Sequence, residues 1–190
     1  AEYIKSMAVG HKTYRPIVKA DVQKVRDAVQ MIAGAKKPIF YTGGGVINSG
    51  PAASQLLGEV AHLTGFPVTS TLMGLGAFPA SDKQFVGMLG MHGTYEANMA
   101  MHDCDLMMNI GARFDDRITG RLDAFSPGSK KIHIDIDPSS INKTIPVDLG
   151  IVGDVGHVLE DLIKIWKSET RRPDADALKS DEVSLIEAVV

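Results

Sequence analysis

The fold follows from the stretch Pro38-Ile39-Phe40-Tyr41-Thr42-Gly43-Gly44-Gly45. Its first five residues form a short apolar run that is typical of a buried strand, and the three glycines end that strand abruptly. A helical pattern follows from Pro51 to Gly65, because proline is tolerated at the first helical position and glycine commonly ends a helix. A second strand-like run, Pro67–Thr71, completes a strand–helix–strand unit, which predicts two parallel strands joined by a crossover helix.

The same alternation continues on both sides of this unit. Before it, Asp21 caps a predicted helix that ends at Gly34 and places Val25, Val29 and Ile32 on one face. After it, a helix is predicted from Gly93 or Thr94 to Met101, and a last one begins after Asp154 and reaches Trp166. The further predicted strands are Val86–Leu89, Leu106–Ile110, Lys131–Asp137 and Leu149–Val152. The pattern predicts an α/β fold with a six-stranded, parallel, doubly wound sheet.

The length of 190 residues suits one domain with extensions. Residues 1–19 show no clean period and are interpreted as a linker. The chain turns polar after Lys167, so residues 168–190 are interpreted as a linker and tail. The predicted domain therefore covers residues 20–167.

Charge and composition argue against several classes of partner. The net charge is −3 and the basic residues are spread along the chain, which argues against nucleic acid and anionic membranes. No apolar run reaches the roughly 18 residues of a membrane span, and residues 1–5 lack the apolar core of a signal peptide. The single cysteine, Cys104, and six scattered histidines give no metal-binding spacing. We expect no metal site, a buried Cys104 at a helix-to-strand corner, and a reducing, cytoplasmic setting.

Candidate ligand-binding residues follow each predicted strand. Ligands of open parallel sheets bind beyond the carboxyl ends of the strands, so all of these segments point to one groove. Each also has a structural alternative, such as turn glycines or an aspartate that only caps its helix. The segments are Gly43–Gly45, Thr71–Gly76, Gly90–Gly93, Gly111–Arg117, Asp135–Asp137 and Gly153–Asp154.

Two of these segments carry most of the chemical signal. Gly43–Gly45 would let the backbone approach a phosphate, although it matches neither the dinucleotide fingerprint nor a P-loop. In Gly111–Arg117 two arginines bracket two aspartates; the loop is either a solvated ion-pair loop or a contact for a phosphate or a flat ring. No nucleophile elbow, catalytic triad or acid–base carboxylate pair is evident, so we predict a binding domain without catalytic residues.

Five motifs, in order, resemble the middle domain of the acetohydroxyacid (acetolactate) synthase family, over about residues 13–166. They are Tyr41–Val46, Gly74–Gly76, Met88–Thr94, Gly111–Arg117 and His133–Pro138. The resemblance implies a Rossmann-like FAD-binding domain, of the kind also called DHS-like. It implies a parent enzyme that joins a two-carbon unit from pyruvate to pyruvate or 2-oxobutanoate, in branched-chain amino-acid synthesis. Thiamine diphosphate and magnesium would belong to flanking domains, whose thiamine motif these 190 residues lack, so we expect this piece alone to be inactive.

The resemblance also implies partners and site residues. The partners are the flanking thiamine-binding domains and a second catalytic subunit, with room for a regulatory small subunit. The implied FAD contacts are Gly43, Gly44, Gly45, Thr71, Leu72, Gly90, Met91, His92, Gly111, Ala112, Arg113, Asp115, Arg117, Asp135, Ile136, Asp154 and Val155. Asp135 is also placed, by its position at a strand end, to accept hydrogen bonds from ribose hydroxyls.

Three alternatives stay open at this point. One is an NAD-dependent deacylase or dehydrogenase, which would want a zinc cysteine cluster or a better glycine fingerprint. Another is a nucleotide-binding module of a flavoprotein electron carrier. The third is another thiamine-diphosphate enzyme, such as glyoxylate carboligase or a pyruvate-oxidase-like protein.

Overall fold

The structure, a computed structural model, describes residues 16–169. The linkers predicted at 1–19 and 168–190 lie outside the described residues, apart from residues 16–19 and 168–169. Residues 16–19 carry no helix or strand, and the last helix extends to Ser168.

These residues form six strands and six α-helices. The strands are β1 (Pro38–Thr42), β2 (Val68–Ser70), β3 (Phe85–Met88), β4 (Leu106–Ile110), β5 (Lys130–Asp135) and β6 (Leu149–Val152). The helices are α1 (Val22–Ala33), α2 (Gly44–Asn48), α3 (Pro51–Thr64), α4 (Tyr95–Asp103), α5 (Asp116–Thr119) and α6 (Val155–Ser168).

The strands form one sheet in the order β3-β2-β1-β4-β5-β6, and every neighbouring pair is parallel. The chain builds outward from β1 to β3 and then returns to place β4 on the other side of β1. The boundary between β1 and β4 is therefore the point where the winding direction reverses. This architecture confirms the predicted α/β class and the six-stranded parallel sheet.

Each face of the sheet packs into its own apolar core. Phe40, Met108 and Ile134 point to the face that α1, α3 and α6 cover. Ile39, Tyr41 and Met107 alternate with them and point to the opposite face, where α4 and the chain around Phe114 and Phe125 pack. Because both faces are covered, β1 and β4 are buried along their whole length, which explains why both are predominantly apolar.

The helix starts follow from capping residues. Asp21 accepts a hydrogen bond from Gln23 N at 2.9 Å and begins α1, whose buried residues Val25, Ala28, Val29 and Ile32 form one stripe. Thr94 caps α4 in the same way, since its side chain accepts from Ala97 N. Cys104 is buried at the corner between α4 and β4, as predicted.

The structure also differs from the sequence-based expectations in detail. The glycine segment after β1 forms a short helix, α2, where a loop was expected, and α5 replaces part of the loop after β4. The strand predicted to end at Asp137 ends at Asp135, because Asp135 Oδ1 accepts from Asp137 N at 2.9 Å and turns the chain.

Candidate functional site

All six carboxyl ends lie along one edge of the sheet, because every strand is parallel. Neighbouring segments on this edge touch one another. Thr71 N donates to Thr42 O, Gly111 N donates to Ile134 O and Gly153 N donates to Asp135 O, each within 3.0 Å. The predicted segments therefore form a continuous rim from β2 to β6.

The first part of the rim is a close backbone contact between the segments after β1 and β4. Gly45 N donates to Gly111 O at 2.9 Å, and a Cβ built on Gly45 would lie 2.7 Å from Gly111 Cα. A Cβ on Gly43 would overlap the Gly111 carbonyl oxygen and lie 2.6 Å from Ala112 Cβ. These glycines are thus required by internal packing, whatever else they contact.

A second contact joins the segment after β3 to α5. Met91 N donates to Arg117 O at 2.9 Å. The Asn98 side chain of α4 hydrogen-bonds both backbone polar groups of Gly90. Its Oδ1 accepts from Gly90 N at 2.9 Å, and its Nδ2 donates to Gly90 O at 3.1 Å. This brings Gly90 and Met91 next to Arg117, as a shared site requires.

The loop after β4 alternates between buried and exposed residues. Ala112 and Phe114 are buried, whereas the Arg113 side chain between them is 72% exposed. Phe114 has a φ of 55°, in the left-handed region that non-glycine residues rarely adopt. The loop therefore projects Arg113 outward, where its Nη2 lies 3.0 Å from Asp115 Oδ2.

Polar side chains support this loop from the sheet. Tyr41, Asn109 and His133 occupy matching register positions on β1, β4 and β5. Residues in register on adjacent parallel strands face the same side, so the three form a row beneath the loop. Burial raises the pKa of the Tyr41 phenol, and the nearby Asp115 carboxylate raises it further, so Tyr41 stays neutral.

Other predicted site residues carry structural roles. Asp154 Oδ1 accepts from Ser49 Oγ at 2.8 Å and from Gly156 N at 3.0 Å, and so caps α6. Val155 is buried beneath that cap. The Thr71 side chain accepts from Gly74 N at 3.1 Å within the turn after β2.

Asp135 and Ile136 lie at the end of β5. Asp135 is nearly buried, and its Oδ2 lies 3.7 Å from His133 Nε2. Ile136, by contrast, is exposed. Ile136 therefore offers a ligand more exposed surface than Asp135 does.

The exposed surface of the rim is both apolar and charged. Leu72, Met73 and Met91 are among the most exposed large apolar side chains of the described residues, Met73 being 73% exposed. The exposed side chains of His92, Arg113 and Arg117 belong to the same rim. Such a mixture suits a ligand with a flat apolar part and an anionic part.

A concavity of about 480 Å³ lies beyond the end of the Thr71–Gly76 segment. It opens between α3 and residues 75–80, and its lining includes Gly58, His62 and Phe78. Of the candidate segments, only Leu75 and Gly76 at the end of Thr71–Gly76 line it, and none of the implied FAD contacts does. We therefore assign the candidate site to the rim, on its chemistry, and not to this concavity.

Sequence reasoning missed three supporting residues: Asn98, Asn109 and His133. Asn109 and His133 are fully buried polar residues inside strands. A polar residue in an otherwise apolar strand is the signal that could have identified them, since buried polar groups need partners.

The part of the chain that the structure describes contains no helix with the length and apolarity needed to span a membrane.

Comparisons with known proteins agree with this architecture. The family model described as thiamine pyrophosphate enzyme, central domain, matches residues 25–162. The acetolactate synthase large subunit of Haemophilus influenzae is 47% identical over 165 residues, covering 87% of this chain and 28% of that protein. The acetolactate synthase isozyme 3 large subunit of Escherichia coli is 43% identical over 177 residues, covering 93% of this chain and 30% of that protein. Acetolactate synthase of Mycobacterium avium is 48% identical over 156 residues, covering 82% and 25%.

The chain thus spans less than a third of the length of these relatives. The family match covers most of the described residues, including every strand of the sheet. On these grounds the chain belongs to the family of thiamine pyrophosphate enzyme central domains.

Proposed function

We propose that this chain is the central domain of an acetolactate synthase large subunit and that it binds FAD along the rim. The relatives named acetolactate synthase support the first part. The observation that carries the second is the exposed Arg113 guanidinium on the same rim as the exposed Leu72, Met73 and Met91. The parent enzyme would condense pyruvate with pyruvate or 2-oxobutanoate, using thiamine diphosphate and magnesium held by its other domains.

The residues present fit such a cofactor. FAD joins an anionic pyrophosphate to a flat, largely apolar ring system. Arginine suits the pyrophosphate because it donates several hydrogen bonds from a planar, permanently charged group. Methionine adapts to a flat ring through its flexible, polarisable side chain. Because Gly43 and Gly45 are closed by Gly111 and Ala112, and Gly90 by Arg117 and Ile118, the fit rests on the exposed side chains of the rim.

The rim would be completed by other parts of the parent protein. An exposed apolar surface of this kind is typical of a ligand site or an interface. We infer that the flanking domains and a second catalytic subunit cover the bound cofactor.

We expect the 190-residue chain to bind FAD saturably. Titration should quench flavin fluorescence and shift the flavin absorbance band, and excess NAD should not displace the flavin. Because the rim is open to solvent on the chain alone, we expect weaker binding than in the parent enzyme. Absence of any saturable change, with the chain folded by circular dichroism, would contradict the FAD proposal.

Replacing Arg113 with alanine should weaken FAD binding roughly tenfold or more, because a hydrogen-bonded charge pair with the pyrophosphate is lost. Stability should change by under about 0.5 kcal/mol, since the side chain is exposed. Arg121→Ala is the matched control: Arg121 is 79% exposed and contacts Asp123, two residues on, as Arg113 contacts Asp115. Equal flavin affinity in the unsubstituted chain and in Arg113→Ala would remove Arg113 from the site.

We expect the chain alone to form no acetolactate from pyruvate, even with thiamine diphosphate, magnesium and FAD added. The reason is that these 190 residues contain no thiamine motif and no acid–base carboxylate pair. A colorimetric acetolactate assay, with a complete acetolactate synthase as positive control, tests this. Product above the enzyme-free rate would contradict it.

A further inference from the structure

The backbone on both sides of Arg113 is held by side chains from the sheet. On the N-terminal side, Ala112 N donates to Asn109 Oδ1 at 3.0 Å, and Asn109 Nδ2 donates back to Ala112 O at 2.9 Å. His133 Nε2 lies 2.8 Å from the same carbonyl oxygen. Since a carbonyl can only accept, His133 Nε2 carries a hydrogen and donates. Ala112 is therefore fixed by three hydrogen bonds from two buried side chains.

On the C-terminal side, Phe114 is fixed by aromatic packing. Its ring meets the His133 imidazole edge-on, with centroids 5.1 Å apart, and also packs against Tyr41 at 5.5 Å and Phe125 at 5.8 Å. This packing holds Phe114 in its left-handed conformation, which turns the chain so that Arg113 faces outward. His133 thus contacts both neighbours of Arg113.

The support leaves one buried polar atom unpaired. Asn109 and His133 are fully buried, and His133 Nδ1 has no hydrogen-bond partner among residues 16–169. Apolar residues at these two positions would remove the unpaired Nδ1, but they would also leave the Ala112 N–H and C=O without these partners. What the polar pair adds is a defined backbone position beside an exposed arginine.

We infer that Asn109 and His133 are positioning residues for Arg113: they fix the Ala112–Phe114 backbone so that the guanidinium meets an anionic group of the bound cofactor. This rests on the proposed FAD site. It concerns residues that never touch the ligand themselves, and it predicts that their effect on binding passes through Arg113.

A double-mutant cycle tests the inference. Asn109→Leu should weaken FAD binding by about tenfold, similar to Arg113→Ala, and the double variant should bind about as the single variants do. If the two losses of FAD affinity multiply, to about a hundredfold in the double variant, the inference is overturned. His133→Gln supplies an amide N–H in place of the imidazole N–H, so its FAD affinity should stay close to that of the unsubstituted chain. His133→Leu has no donor, and its FAD affinity should fall.

Met107→Ala provides the control for general destabilisation. Met107 is fully buried on the same strand, facing the same side as Asn109, but has no side-chain hydrogen to donate. At temperatures where all variants are folded, it should leave FAD affinity within about twofold. An equal loss in Met107→Ala and Asn109→Leu would reduce Asn109 to a stability role and overturn the inference.

Hydrogen exchange separates this inference from the FAD proposal. The Ala112 amide should exchange at least about tenfold faster in Asn109→Leu than in the parent chain, while amides of α6 keep their rates. If the unsubstituted 190-residue chain binds no FAD, the FAD proposal fails. The positioning of the loop then stands if the Ala112 amide is selectively deprotected, and it fails if exchange there is unchanged.

Discussion

Replacing Gly111 with alanine is expected to lower the free energy of unfolding by about 3 kcal/mol or more, because two costs coincide. Gly111 has a φ of 67°, a conformation that strains a residue with a Cβ. The new Cβ would also lie 2.7 Å from Gly45 Cα and 3.0 Å from Gly45 C, and these backbone atoms cannot rotate away. Urea denaturation followed by circular dichroism measures the effect.

Gly58→Ala is the matched control for this change. Gly58 lies inside α3, and a Cβ there would meet no atom within 4 Å. Alanine is the better helix former, so this variant should gain about 0.5–1 kcal/mol. The same substitution is thus expected to have opposite signs at two glycines. A Gly111→Ala variant as stable as the parent chain would mean that the β1–β4 contact is looser than the structure describes.

Replacing Asp154 with alanine should cost about 2 kcal/mol, at the upper end for the loss of an N-cap. The Asp154 carboxylate accepts from Ser49 Oγ, Gly156 N and His157 N, so it begins α6 and ties that helix to the segment before α3. Asp154→Asn keeps the acceptor oxygen and should lose only a few tenths of a kcal/mol. Thermal and urea unfolding of the two variants provide the comparison.

These variants also separate the two roles predicted for Asp154. If Asp154 only caps α6, Asp154→Ala should bind FAD as tightly as the parent chain under conditions where both are folded. A loss of FAD affinity in the folded variant, larger than that of Asp154→Asn, would instead support the predicted contact with the cofactor.

The fold could be predicted because its signals are local. Pro38–Thr42 and Leu106–Ile110 are predominantly apolar runs, which is typical of strands covered on both faces. Asp21 and Asp154 precede apolar stripes of helical period, and both cap helices. The helix α2 was missed because its first two residues are glycines, poor helix formers, and its position depends on contact with the distant Gly111.

The candidate site was only partly predictable, for a related reason. Parallel strands place their carboxyl ends on one edge, so the rim and its segments follow from the order of elements. The alignment of Asn109 with His133 does not follow from that order, because it depends on the register between β4 and β5. Likewise, the sequence could not tell whether the Gly43–Gly45 segment faces a phosphate or another backbone. That depends on how closely the ends of β1 and β4 approach.

The contact between the ends of β1 and β4 also couples positions in evolution. A side chain at residue 43 or 45 fits only if the backbone near residue 111 moves away. A side chain at residue 111 likewise fits only if the backbone near residue 45 moves away. Substitutions at these positions should therefore be rare and should occur together across related sequences. The two loops would vary as one inherited unit, although more than sixty residues separate them along the chain.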